Sequence, residues 1–553
     1  VTEFLWMTAF WADRPSEILA ATLTCHRRRD TIGRARAERF GRRIAGKGPS
    51  LLRCAARFLL RLRPRASATV TSPARSSRRI AIVGGGVTGL SAAVHARQLD
   101  PSAELLLLEA RDRPGGVLST VHRDGFLIER GADNFITNVP WAVELCRQLG
   151  LADDLLPTDA SRRRVFVVRR GRLRPVPRGF MLMVPERIWP VLLSGVLSPW
   201  GKLRLLSEYF VPARKPDGDE SLASFARRRL GREAFDRLVQ PLVGGIYTAD
   251  PEKLSLAATL PRFLDMERQS GGLIRGRSSV QTRPDEIVDP AGSGARYSLF
   301  TTPRAGLSSL IDALVERLPR GIIQFGAQAT ALDRAADGRW QIHFSTAQDP
   351  VDRSWPCDAV ILAVPAHVAA ATVKPVSSEL AAELAGIPYA DAVVVSVGFR
   401  RDQIAHPLDG FGVVVPAQER RSILAISFGS VKFSGRAPAG QVLLRVFVGG
   451  ACQPELARLD DDSMRRLVLG ELGELLGARG EPSVCDIARW PASMPQYHLG
   501  HLDRIARIDR LVADLPGLAL AGNAYRGVGI AQCIRSGQQA AETVTAAGLG
   551  ARA

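Results

Sequence analysis

The first sustained apolar run is RIAIVG at 79–84, and it ends in glycine. A short continuous run bounded by a turn residue predicts a strand buried on both faces of a parallel sheet. A helical stretch follows at 90–99 and a second apolar strand, ELLLLE, at 104–109, so the opening reads as a β-turn-α-β unit. Residues 180–240 read as helical, with Pro and Gly breaks. Strand patterns return across 321–364, as IIQFGAQATAL, then WQIHF after the Asp337-Gly338 turn, then AVILAVP. More β-like runs, VVVSVGF, GFGVVVP and VLLRVFVGG, occupy 392–450. The chain closes with a strand at 518–521 and a helix at 529–543. A parallel unit whose closing strand lies at the far end of the chain predicts an α/β, Rossmann-like domain that is discontinuous, with other material inserted. The pattern divides it as 78–155, 300–372 and 501–553, with an α+β domain at 156–299 and 373–500 that carries a helical insert.

Charge changes the picture only at the N-terminus. The formal net charge is +19 over 553 residues, yet residues 1–79 hold 18 Lys/Arg against 5 Asp/Glu. The basic character therefore belongs to a leader, residues 1–77, expected to be dispensable for the fold. Arg- and Ser-rich, acid-poor leaders suit a transit peptide or an over-extended gene start, and both readings stay open. The body has no basic stripe with interleaved aromatics, so no nucleic-acid partner is expected. Seven cysteines (Cys25, Cys54, Cys146, Cys357, Cys452, Cys485, Cys533) show no C-x-x-C spacing. That argues against a zinc site or disulfide framework and for a reducing, cytoplasmic compartment.

The chemistry is carried by glycine. Gly84-Gly85-Gly86-Val87-Thr88-Gly89 follows a strand and opens a helix, as a dinucleotide fingerprint requires. Gly84 permits the tight turn, Gly86 lets the backbone approach a pyrophosphate, and Gly89 lets helix and strand pack closely. The helix N-terminus then faces the phosphate charge. Glu109 stands twenty residues after Gly89, at the end of the second strand, placed to accept from the ribose hydroxyls. The next residues, Ala110-Arg111-Asp112-Arg113-Pro114-Gly115-Gly116, resemble the E-A-x-x-R-x-G-G extension of the flavin amine oxidase superfamily. The resemblance implies FAD, with Arg113 bringing charge near the diphosphate and Gly116 passing against the cofactor. Gly522-Asn523 and Gly527-Val528-Gly529-Ile530 resemble the same superfamily's segment that covers the flavin.

Four further stretches narrow the resemblance. They are GFLIERGADNF at 125–135, PLVGGIYTADPEKLSL at 241–256, PLDGFGVVVP at 407–416, and Trp490 followed by MPQYHLGH at 494–501. Together they resemble the oxygen-dependent protoporphyrinogen oxidase and coproporphyrinogen III oxidase family. Departures are Ala132 and Asn134 where Pro and Ser are usual, Thr248-Ala249 for Ala-Gly, and Pro303-Arg304-Ala305-Gly306 for a Gly-Gly turn. The resemblance implies that Gly131, Ala132, Asp133 and Asn134 line the flavin and that Ala329 meets the adenine. Val117, Trp490, Val528, Gly529 and Ile530 match other cofactor positions. Gly245 and Phe411 match positions that meet the tetrapyrrole. Phe411 and Trp490 also suit a plain core role.

The reaction so implied is a six-electron porphyrinogen oxidation in heme synthesis, with molecular oxygen as acceptor and hydrogen peroxide as product. No metal is expected and no catalytic acid or base is assigned. Propionates need cationic anchors; Arg162, Arg163, Arg164 and Arg178 are candidates beside a solvated-face reading. Protoporphyrinogen IX and coproporphyrinogen III are not distinguished, and a homodimer is left open. Two alternatives remain: an amine oxidase or carotenoid desaturase of the same superfamily, for which Tyr525 offers one cage aromatic, and a non-enzymatic binder like the Rab GDP-dissociation inhibitors, which need not hold FAD.

No apolar run reaches the roughly 18 residues of a spanning helix. Residues 180–210 instead combine Met181, Met183, Ile188, Trp189, Leu192, Leu193, Val196, Leu197 and Trp200 with flanking Arg178, Arg187, Lys202 and Arg204. Two readings compete for them: peripheral contact with the inner face of the cell membrane, or the core of a helical insert.

Overall fold

The computed structural model describes residues 77–214, 218–277, 300–346 and 353–550. The basic leader up to residue 76, with Cys25 and Cys54, lies outside them.

Five parallel strands form the sheet that the opening unit predicts. Their order is Ile323–Phe325, Glu104–Glu109, Arg79–Val83, Ala359–Leu362, Leu518–Leu520. Ile80 pairs with Leu105 on one side and Ala359 on the other. The strands therefore come from three separated stretches of chain. Strand side chains alternate between faces, and both faces of this sheet are covered. Ile80, Ile82, Leu105 and Leu107 belong to the cluster that includes the helices, whereas Ala81, Val83, Leu106 and Leu108 pack with an antiparallel meander. The meander is Ala327–Arg334, Trp340–Thr346 and Arg353–Cys357. The helix Val87–Leu99 crosses the last helix, Ile530–Gly550, very closely. A Cβ at Gly537 would stand 2.2 Å from the Thr88 carbonyl oxygen, so only glycine fits that crossing.

A second, seven-stranded sheet runs Val484–Pro495, Tyr389–Arg400, Gln441–Gly449, Ala425–Ser427, Gly412–Val414, Val165–Arg169, Arg172–Pro175. It is antiparallel except where Gly412–Val414 meets Val165–Arg169. The helix Asp461–Leu476 covers one face through Met464, Val468 and Leu472.

Two expected elements differ. The run IIQFGAQATAL is two strands in different sheets, because Gly326 turns the chain in the left-handed region at φ 64°. The stretch 180–240 opens with the hairpin Phe180–Met181 and Val184–Pro185; its helices begin at Ile188 and continue to Gly276. No helix among the described residues is long and apolar enough to cross a membrane.

Candidate functional site

The glycine fingerprint has one closed face and one open face. Gly84 takes φ +104°, and its Cβ would meet the Ala363 carbonyl oxygen at 2.4 Å. A Cβ at Gly89 would meet the Gly84 carbonyl oxygen at 1.9 Å, and one at Gly131 the Val117 oxygen at 2.0 Å. At Gly86, by contrast, a Cβ would meet nothing within 4 Å, and the same holds at Gly522. Open space thus begins where the helix Val87–Leu99 starts. No side chain caps that N-terminus, so its first amides are left for an anion.

Glu109 is buried and ties the cradle together. Its carboxylate accepts from the Gly85 amide at 2.6 Å and from the Arg111 amide at 2.9 Å. Gly115 donates to the Gly85 carbonyl at 2.8 Å, which brings the second glycine pair against the first. Ala110 is exposed. Arg113 donates to the carbonyls of Pro114, Gly116 and Leu118, so its guanidinium also clamps the Gly115-Gly116 loop. Gly116 passes with φ +59° beside Gly86, and Val117 is 39% exposed.

The segment Gly131–Asn134 lies on a buried charge cluster. Arg445 donates to the Gly131 carbonyl at 2.5 Å and stands 3.1 Å from the Asp133 carboxylate. Lys432, also buried, is 3.7 Å from Asp133. The Asn134 amide nitrogen donates to Asp133, which leaves Asn134 Oδ1 buried with no protein partner among the described residues. Glu129 is buried and accepts from Leu307 N and Thr120 Oγ1; burial raises its carboxyl above the usual range against those bonds. Ala132 is buried. Trp490 fixes the edge, its indole donating to the Arg130 carbonyl at 2.8 Å while Arg111 lies over its ring.

Tyr497 binds the C-terminal glycine turn to the second sheet. Its hydroxyl donates to the Asn523 carbonyl at 2.6 Å and accepts from Gly527 N at 2.8 Å. Its ring stacks on His501 at 4.0 Å, and His501 Nε2 meets the Tyr525 carbonyl at 2.9 Å. A carbonyl only accepts, so the neutral ring carries its proton on Nε2. Val528, Gly529 and Ile530 are buried at this turn, next to the helix that follows. Ala329 sits at the bulge of the meander facing the parallel sheet. Phe411 is buried; its amide donates to the Arg164 carbonyl at 2.7 Å. The helix Gln240–Tyr247, which holds Gly245, packs beside the adjoining strand Gly412–Val414.

A dinucleotide fits this site on three observations. The open space at Gly86 and Gly522 borders backbone that cannot move. The uncapped helix start supplies amides for a pyrophosphate. Asn134 Oδ1, on the segment beside the buried charge cluster, is a buried polar atom with no protein partner among the described residues, as expected of a group that faces a ligand. Sequence reasoning missed Lys432 and Arg445, and it gave no role to Gln496, Tyr497 or His501 within the stretch at 494–501. One signal was present: Arg445 interrupts an otherwise apolar strand, VLLRVFVGG.

Two outcomes follow. Glu109→Ala removes the carboxylate that two amides share, so flavin retention should weaken by about 1–3 kcal/mol; an unchanged dissociation constant by fluorescence titration would count against the reading. Burial, with Arg504, His498 and Arg526 adding, lowers the His501 pKa from 6.5 to about 4. The unfolded chain then binds the extra proton between those values, so stability falls as pH drops from 6.5 to about 4, by on the order of 3 kcal/mol. Urea midpoints across that range should show the loss, and His501→Gln should flatten it.

Comparison with known proteins agrees with this geometry. The family model described as flavin containing amine oxidoreductase matches residues 87–545. The coproporphyrinogen III oxidase of Propionibacterium freudenreichii subsp. freudenreichii is 36% identical, covering 87% of this chain and 93% of its own. That of Bacillus subtilis is 33% identical over 84% and 97%, and the chloroplastic protoporphyrinogen oxidase of Nicotiana tabacum 30% identical over 84% and 85%. A solved structure from Exiguobacterium sp. 255-15, assigned to the protoporphyrinogen oxidases, superposes with a TM-score of 0.73 at 31% identity, covering 85% of this chain and 99% of that one. Reduced UDP-galactopyranose mutase, at 18% identity and TM-score 0.63, shares the fold alone. The chain belongs to the flavin containing amine oxidoreductase family, and it is a flavoprotein oxidoreductase.

Proposed function

We propose that the protein is an FAD-dependent porphyrinogen oxidase of heme synthesis that uses molecular oxygen. The observation that carries the reading is the likeness to the coproporphyrinogen III oxidases over 87% and 84% of the chain, with the glycine cradle intact. A flavin held there would supply the redox chemistry, a two-electron hydride acceptance that three turnovers per porphyrin would require, with oxygen as the final acceptor. The chain's own residues hold, orient and enclose. Gly86 and the uncapped helix start would hold the pyrophosphate, and Glu109 the ribose. The cations of Lys432 and Arg445, beside Gly131 and Asp133, favour negative charge developing at that edge. Phe411 and the helix around Gly245 would form the tetrapyrrole side, dry and apolar, so that ring meets ring without water. No side chain is assigned to proton transfer. Incubation with either porphyrinogen in air should produce porphyrin fluorescence and consume three oxygens per porphyrin; peroxide formation with an amine and none with a porphyrinogen would favour an amine oxidase instead.

A position on the membrane surface is supported by one further observation. Among the described residues Trp189, Leu193, Trp200 and Phe210 are 75–85% exposed, whereas Met181, Met183, Val196 and Leu197 from the same stretch are buried. The stretch therefore divides: part is core, and the exposed remainder, three aromatics and a leucine, is a surface that suits a lipid interface. The chain lacking its leader should float with anionic vesicles at low salt, and Trp189→Ser with Trp200→Ser should abolish flotation. Equal flotation of both forms would show that the patch does not carry the contact.

A further inference from the structure

We propose that an arginine-walled cavity at the edge of the seven-stranded sheet takes the substrate's carboxylates and selects a tetracarboxylic porphyrinogen over a dicarboxylic one. This inference rests on the porphyrinogen oxidase reading and adds the specificity that reading leaves open. The cavity measures about 520 Å³ and is lined by Arg163, Arg164, Arg174 and Arg178, over an apolar floor that includes Val176. Asp409 is the one carboxylate among its lining residues, and Arg164 engages it at 2.6 Å. Arg174, on the strand Arg172–Pro175, and Arg178, on the turn after it, are exposed. Neither makes a side-chain hydrogen bond or ion pair among the described residues. Arg164 already answers the one lining carboxylate, so Arg174 and Arg178 stand on this concave surface as two guanidiniums beyond that pair.

The cavity adjoins the candidate tetrapyrrole side. Arg164, one of its lining residues, accepts from the Phe411 amide through its carbonyl oxygen at 2.7 Å. A macrocycle bound beside Phe411 would therefore lie next to the arginine-lined cavity. Guanidinium forks match carboxylates with two parallel hydrogen bonds. A propionate satisfies them; a vinyl group accepts no hydrogen bond and leaves them without a partner. Coproporphyrinogen III has propionates at the two positions where protoporphyrinogen IX has vinyls, so the two extra carboxylates are what Arg174 and Arg178 would read.

The experiment compares the wild-type holoenzyme with the double variant Arg174→Gln/Arg178→Gln, measuring kcat and KM for both porphyrinogens across a salt series. The wild type should prefer coproporphyrinogen III, with a KM that rises with salt. The double variant should lose roughly ten- to hundredfold in kcat/KM for coproporphyrinogen III, through KM. Its kcat and flavin content should stay near wild type, and its kcat/KM for protoporphyrinogen IX should fall several-fold less than that for coproporphyrinogen III. Quenching of protein fluorescence by the product coproporphyrin III should weaken in parallel, a readout independent of turnover. Equal loss for both substrates, or no change for either, would overturn the carboxylate site while leaving the oxidase reading intact. Failure of the wild type to oxidise either porphyrinogen would overturn both readings together.

Discussion

Arg229→Met should destabilise the protein by about 3–5 kcal/mol, seen as a lower urea midpoint, with the loss centred on the helical region. The Arg229 side chain is fully buried between two carboxylates, Glu208 and Glu267. It also donates to the Val211 carbonyl at 2.9 Å and the Gly271 carbonyl at 3.2 Å. Glu208 in turn accepts from the amides of Leu273 and Ile274, so it caps the helix Leu273–Gly276 from within the core. Removing the guanidinium strands a buried carboxylate and at least two carbonyls, and each stranded group keeps its full desolvation penalty. Pairing Arg229→Met with Glu208→Gln should recover part of the loss, because a neutral amide tolerates burial better than an unpaired charge. A single variant as stable as the wild type would mean that water reaches this cluster.

Gly89→Ala and Gly86→Ala should fail in different ways. At Gly89 an added Cβ would lie 1.9 Å from the Gly84 carbonyl oxygen, a backbone atom that cannot swing aside. Overpacking of this kind costs about 1–3 kcal/mol, and the strand and helix must separate to relieve it, so the cradle deforms and flavin is lost. At Gly86, with φ −72°, alanine meets nothing within 4 Å. The folded protein should therefore be as stable as the wild type in its flavin-free form, yet hold flavin weakly, because the methyl group fills the space left for the pyrophosphate. Thermal melting of the flavin-free proteins separates the two effects. Normal flavin content in Gly86→Ala would move the phosphate elsewhere.

The cofactor half of the fold was legible because its signals are local. Strands buried on both faces read as continuous apolar runs, and the tight contacts at Gly84 and Gly89 admit only glycine, so pattern and geometry coincide. The strand break at Gly326 was not legible, since the residues on both sides are equally apolar and only the left-handed turn separates them. The helix LASFARRRL looks solvated in sequence, with three consecutive arginines. Arg229 nonetheless points inward, because Glu208 and Glu267 arrive from distant helices to meet it. The Tyr497 bond to Asn523 joins residues from two motifs that were each recognisable alone, but nothing in either announces their contact. Long-range polar pairing of this kind leaves no period in the chain, and the resemblance to a family supplied the tetrapyrrole residues where residue patterns did not.

Porphyrinogen oxidation by the bound flavin is tested most directly by anaerobic titration of the purified protein with coproporphyrinogen III and, separately, protoporphyrinogen IX, following the flavin's visible absorbance and porphyrin fluorescence together. At least one porphyrinogen should bleach the flavin, with three flavins reduced for each porphyrin formed, and air should restore the colour. A flavin that dithionite bleaches but neither porphyrinogen changes would contradict the oxidase reading.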